Sequence, residues 1–184
     1  MEHMEDKGRE IKGLVHIYCG DGKGKTTAAL GLALRAAGRK KKVLIVRFLK
    51  TDDSGEVSIL KRIPEITLIP CEKTFGFLSS MSEETKKEAI EWYGKLLERA
   101  ISMAIENTWD MLVMDEAVTA CEKKVIEEDR LLWFLKNRPD RLEAVLTGRD
   151  PSDRLLSEAD YISHIQAVRH PYEKGVKARK GIEY

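Results

Sequence analysis

Side-chain amides are almost missing from this chain, which has only Asn107, Asn137 and Gln166. Lysine and glutamate abound instead, a bias that fits a hot habitat, where amides are labile, and says nothing about function. Cysteine is sparse too. Cys19, Cys71 and Cys121 are widely spaced with no C-x-x-C pair, which argues against a disulfide framework or a structural zinc and for a reducing compartment. His3, His16, His164 and His170 lack ligand spacing, so no metal role falls to them. No apolar run nears the roughly 20 residues that cross a bilayer. Residues 1–12 are polar and mixed in charge, without the apolar centre of a signal peptide. A soluble, cytoplasmic protein with no membrane partner is expected. Charge of one sign is also lacking: Lys+Arg 32 against Asp+Glu 31 leaves +1, so no global field recruits nucleic acid. Nor is there an internal repeat, a low-complexity tract or a linker. At 184 residues and 42% hydrophobic content, the chain fits one domain over 1–184, with 1–12 as a flexible N-terminal segment.

Against this background one stretch stands out: Gly20-Asp21-Gly22-Lys23-Gly24-Lys25-Thr26-Thr27, between an apolar run and a segment rich in alanine and leucine. Glycines let a loop turn its N–H groups inward, a helix start favours an anion, and a lysine brings a point charge to the outer phosphates. In that pattern Lys25 is the phosphate lysine and Lys23 a further cation in the loop. The Thr26 hydroxyl is a Mg²⁺ ligand. A nucleoside triphosphate is the implied ligand. The general pattern has a glycine five positions before Gly-Lys-Thr, where this chain has Cys19.

The rest reads as alternating strands and helices. Leu14 to Tyr18 is a β-rich run, Thr26 to Ala37 has helical spacing, and Gly38 is a natural stop. Lys42 to Phe48 is nearly all apolar, as for a strand covered on both faces, and Ile66 to Ile69 is a shorter one. Ser82 is an N-cap before Glu83 and Glu84. Apolar residues then recur at Ala89, Tyr93, Leu96, Leu97, Ala100, Ile101 and Ala104, which predicts a long amphipathic helix. Met111 to Met114 is a strand, Leu131 to Leu135 a helix before Pro139, and Leu142 to Leu146 a strand before Thr147-Gly148-Arg149. The expected fold is α/β, a P-loop NTPase-like three-layer αβα sandwich with a mainly parallel central sheet. Ligands in such sheets bind at the carboxyl ends of the strands. The polar stretch Thr51 to Gly55 belongs on the rim of that site.

Asp115-Glu116 follows an apolar strand and matches the acidic pair that holds Mg²⁺, or its waters, opposite the Thr hydroxyl. Either carboxylate serves, and in an ATPase the glutamate would instead orient a water. The basic run Arg39 to Lys42 sits where the first helix ends, so complementing the helix dipole accounts for it. Phe75 and Phe77 lie on an aperiodic segment, Cys71 to Met81. A binding surface and packing against the core are equally open there.

The loop Gly20 to Ala29 resembles the G-N-G-K-G-K-T-T-A-A loop of the P-loop-type ATP:corrinoid adenosyltransferases, which also lack the leading glycine. Further similar stretches are Arg47-Phe48-Leu49-Lys50, Asp115-Glu116, Asn137-Arg138-Pro139, Thr147-Gly148-Arg149 and the run from His170-Pro171-Tyr172 through Gly175 to Tyr184. The resemblance spans nearly the whole chain, and the order and spacing of these stretches make it specific. It implies that a Co(I) corrinoid attacks the 5′ carbon of ATP, expelling triphosphate, with ATP reversed in the loop relative to other P-loop enzymes. The loop and Lys25 then stabilise a leaving group. It implies that Phe75 and Phe77 match an F-x-W pair that displaces the lower axial ligand of the corrinoid, with Phe77 in place of Trp. Asp115 and Glu116 carry over as the Mg²⁺ site, Glu116 foremost. An electron-donating reductase and a homodimer are the implied partners, and the family's N-terminal segment, which closes over a neighbouring subunit's site, is short here. The other readings are a P-loop ATPase or small-molecule kinase and a non-catalytic corrinoid- or nucleotide-binding protein.

Overall fold

The computed structural model describes residues 12–76, 81–106 and 108–183. Phe77 and the first eleven residues, both subjects of expectations above, lie outside that range. In chain order the elements are β1 (Val15–Cys19), α1 (Lys25–Ala37), β2 (Val43–Arg47), α2 (Val57–Leu60), β3 (Ile66–Leu68), α3 (Glu83–Glu106) and β4 (Met111–Asp115). They continue with α4 (Ala117–Glu122), α5 (Glu128–Asn137), β5 (Glu143–Thr147), α6 (Asp153–Ser157) and β6 (Tyr161–His164). A short 3₁₀ turn, Pro171–Lys174, comes last.

The strands form one six-stranded sheet in the order β3-β2-β4-β5-β1-β6, and every pairing is parallel. Parallel strands flanked by helices on both faces have no wet side, which is why β2 and β4 are buried at every position. Leu44 and Val46 join the apolar cluster that includes α3, α4 and α5, while Val43 and Ile45 join the one built on α1. Helices over both faces of the sheet make the three-layer αβα arrangement. The buried face of α3 is the set of residues that its spacing predicts, Ala89 through Ala104, and Ser82 caps it by accepting from the Thr85 N–H at 3.2 Å. None of the helices among the described residues is long and apolar enough to cross a membrane.

Local details refine the sequence reading. The chain reverses after α1 at Lys40, with φ 63, whereas Gly38 keeps helical angles. Two residues of the basic run meet acids elsewhere in the fold: Lys40 reaches Glu65 at 2.8 Å and Lys41 reaches Asp110 at 3.6 Å. Arg138, in the Asn-Arg-Pro stretch, donates to the Gly13 carbonyl at 2.6 Å and to that of Leu142, tying the start of β1 to the entry of β5. The edge strand β6 has no apolar run to announce it. Its residues are all exposed, and Tyr161 stacks on His16 with centroids 4.8 Å apart.

Candidate active site

The loop after β1 is shaped by two positive-φ glycines, Gly20 at 103° and Gly24 at 117°. A Cβ on Gly20 would stand 2.5 Å from the Ile165 carbonyl oxygen, so both backbone angle and space demand glycine there. Cys19, in the place of the leading glycine, is the last residue of β1, and its side chain is 3% exposed in the core cluster. Burial pushes its thiol up. That position is a strand position, and a small apolar side chain fills it.

The segment after β6 lies against the loop. Gly22 N–H donates to the Ile165 carbonyl, and the Ala167 N–H donates to an Asp21 carboxylate oxygen at 2.9 Å, which lowers the Asp21 pKa. Gly20 N–H donates to the Arg149 carbonyl. The Gly20 and Gly22 N–H groups are thus spent on the backbone, while those opening α1, around Lys25 and Thr26, have no intrahelical acceptors and suit an anion. Lys23 does not point inward as a loop cation: its ammonium is 3.4 Å from Glu183 near the chain's end. Lys25 Nζ donates to the Gly22 carbonyl at 2.8 Å. Desolvation lowers its pKa, opposed by the charge of Glu116.

The acidic pair meets this loop from β4. Asp115 is fully buried, and one of its oxygens accepts from the hydroxyls of Thr26 at 2.8 Å and Thr147 at 2.7 Å. The other accepts from Lys50 Nζ at 2.6 Å. Lys50 also donates to the Thr26 hydroxyl oxygen at 2.8 Å and stands 3.9 Å from a Glu116 oxygen. Glu116 is held in the left-handed region, φ 60, with its N–H donating to Thr147 Oγ1 at 2.8 Å. A non-glycine residue there is uncommon and marks a place where geometry outweighs backbone comfort. A buried carboxylate left unpaired costs several kcal/mol, about 3–5 when one partner of an ion pair is removed. Asp115 therefore depends on all three donors.

One threonine hydroxyl and two carboxylates make a hard-oxygen set, and the Lys50 ammonium seated among them shows that the spot favours a cation. The described residues contain no cluster of three His, Cys, Asp or Glu side chains able to hold a metal by themselves. Such a set suits Mg²⁺, which takes one or two carboxylates and completes its shell with phosphate and water.

A sequence profile described as ATP:corrinoid adenosyltransferase BtuR/CobO/CobP matches residues 11–184. This chain belongs to that adenosyltransferase family. It is 31% identical to corrinoid adenosyltransferase CobA of Salmonella typhimurium strain LT2 over 97% of this chain and 89% of that one. It is 30% identical to the corrinoid adenosyltransferase of Escherichia coli K12, again over 97% and 89%. With that of Pseudomonas aeruginosa PAO1 it shares 28%, over 97% and 87%. The chain is thus an ATP:corrinoid adenosyltransferase, an enzyme, and ATP and a corrinoid are its substrates.

Within this adenosyltransferase, Phe75 lies on the segment after β3. It is half-buried against the core and meets Tyr93 edge-on with centroids 5.7 Å apart. Burial pushes the Tyr93 phenol up to about 12. Of the two readings left open for Phe75, packing against the core is thus met in part by the contact with Tyr93. Pattern reasoning assigned no role to Lys50 or Thr147, which the fold brings to Asp115. Their advance signals are membership of the stretches Arg47 to Lys50 and Thr147 to Arg149 and their position: Thr147 ends β5, and Lys50 follows β2 by three residues.

Proposed function

We propose that this adenosyltransferase joins the 5′ carbon of ATP to the Co(I) centre of its corrinoid. The electron pair on cobalt forms the cobalt–carbon bond, and the bond between the 5′ carbon and oxygen breaks, releasing triphosphate. The enzyme then serves adenosylcobalamin biosynthesis or salvage.

The observation that carries this reading is the meeting of the phosphate loop with the acidic pair. Thr26 at the start of α1 and Asp115 at the end of β4 share a hydrogen bond, and Lys25 lies one residue away. The loop from Gly20 to Thr27 borders the polyphosphate, and the N–H groups opening α1, rather than those of Gly20 and Gly22, meet the charge that grows on the departing oxygen. Lys25 brings a partly desolvated ammonium to the same charge, where low dielectric strengthens the attraction. Thr26, Asp115 and Glu116 would together form the seat for Mg²⁺, Glu116 foremost, with Asp115 also orienting the threonine hydroxyl. Bound there, Mg²⁺ supplies Lewis-acid neutralisation of the leaving triphosphate. Phe75, with Phe77, presents an apolar surface to the corrinoid and disfavours its lower axial ligand, easing reduction of Co(II) by a reductase. The chain works as one domain, in the cytoplasm, as a homodimer.

The test is incubation with MgATP and a chemically reduced corrinoid. The expected products are the spectrum of an adenosylated corrinoid and one triphosphate per turnover. Formation of ADP in place of triphosphate would overturn the reading and favour an ATPase or kinase.

A further inference from the structure

Lys50 is hydrogen-bonded to two of the residues that would receive a divalent cation and stands close to the third. Its ammonium is 2.8 Å from Thr26 Oγ1, 2.6 Å from Asp115 Oδ2 and 3.9 Å from Glu116 Oε1. The placement is built. Leu49, immediately before it, takes φ 58, a left-handed turn that a leucine adopts only under constraint. On the far side of Lys50, Asp52 is anchored by the buried Arg47 guanidinium, by Lys61 at 3.2 Å and by the Cys71 N–H at 3.3 Å. The loop is thus pinned on both flanks, and Lys50 is its inward projection, with 26% of the side chain exposed.

An ammonium and a divalent cation cannot share these positions. Both need Thr26 Oγ1 and the acidic pair at close range, and like charges so near repel strongly in a partly desolvated site. We infer that Lys50 is an internal counter-ion that competes with the divalent metal for the seat formed by Thr26, Asp115 and Glu116. The metal enters only together with the triphosphate. Free metal must displace an ammonium that already neutralises Asp115 and gains nothing in return. MgATP brings polyphosphate oxygens that accept the displaced ammonium while the metal takes its place. Lys50 then joins Lys25 as a cation for the triphosphate, and the enzyme is spared an unproductive metal-only state.

This inference rests on Thr26, Asp115 and Glu116 being the metal seat, so the experiment tests the two separately. Manganese binding is measured by electron paramagnetic resonance on the full chain without nucleotide, for the wild type, Lys50→Met and Lys50→Arg. Removing the competing charge should tighten Mn²⁺ binding by Lys50→Met about tenfold or more, while Lys50→Arg behaves as the wild type. Magnesium alone should raise the melting temperature of Lys50→Met and leave that of the wild type unmoved. Equal Mn²⁺ affinity in Lys50→Met and the wild type overturns the competition. If Lys50→Met does not fold, the isotope-labelled Lys50 ammonium of the wild type is followed by NMR. Its signal should move with MgATP and stay in place with free Mg²⁺, and movement with free Mg²⁺ overturns the inference. The seat is checked by Glu116→Gln with saturating ATP. Weaker Mn²⁺ binding supports it, and unchanged binding removes the metal assignment and the inference with it.

Discussion

The Thr26 hydroxyl donates to Asp115 across 2.8 Å although 89 positions of sequence separate them. That bond joins the first turn of α1 to the end of β4, and a third residue, Thr147 at the end of β5, completes it from the neighbouring strand. The carboxyl ends of β4 and β5 and the first turn of α1 thus meet at a single buried carboxylate.

Lys25→Ala should reduce turnover by roughly a hundred- to a thousandfold, the usual loss when one preorganised donor to a developing anion is removed. Steady-state assay of adenosylated product, with a parallel ATP-binding measurement, checks it. Turnover within a few-fold of wild type would remove Lys25 from the phosphate site.

Thr147→Val keeps the shape but strips one hydrogen bond from Asp115 and one acceptor from the Glu116 N–H. Leaving buried polar groups unpaired costs about 1–3 kcal/mol each. A melting temperature lowered by several degrees in a thermal scan is the expected result, and an unchanged one would show that water replaces the hydroxyl.

Gly20→Ala combines a left-handed backbone with a methyl 2.5 Å from the Ile165 carbonyl oxygen. Strain of about 1–3 kcal/mol from the backbone alone is expected, and displacement of the segment after β6 should expose it to proteolysis. Limited digestion with mapping of the cut sites distinguishes this from a global loss of stability.

Phe75→Ala removes the edge-on partner of Tyr93 and the apolar surface proposed to face the corrinoid. Conversion starting from Co(II) should fall far more than conversion from pre-formed Co(I). Equal losses in the two assays would make Phe75 a packing residue.

Glu183 accepts from Arg179 and Lys23, and hydrogen bonds from Arg179 pull its carboxyl down to about 2. A carboxyl lowered in the folded state contributes in full above its unfolded pKa near 4.5 and loses that contribution as pH falls toward about 2. The carboxyl carbon shift of Glu183, followed by NMR, should therefore titrate near 2. A midpoint near 4.5 would mean that the contacts with Arg179 and Lys23 do not persist in solution.

Much of this was legible in advance, for reasons that differ by element. The burial of α3 repeats at helical spacing, so its face could be read residue by residue, and β2 and β4 are uninterrupted apolar runs because both sheet faces are covered. β6 was not legible. Tyr161-Ile162-Ser163-His164 is an exposed edge whose pairing with β1 comes from backbone bonds, which leave no mark in side-chain pattern. Phe75 was ambiguous because one apolar residue on an aperiodic segment has no period to reveal its direction.

The sequence by itself determined the glycine-rich loop and the family, because the loop is one contiguous stretch and the family lies in the order and spacing of several such stretches. It also marked Asp115-Glu116 as acids at a strand end. Only the tertiary structure decided which groups surround Asp115, turning Lys50 and Thr147 toward it, drawing Lys23 outward to Glu183 and making Cys19 a core residue of β1. The physical reason is that a buried carboxylate is matched through space. Its partners come from whichever strand ends the parallel sheet brings to the same edge, and the order β2-β4-β5-β1 is written nowhere in the local sequence.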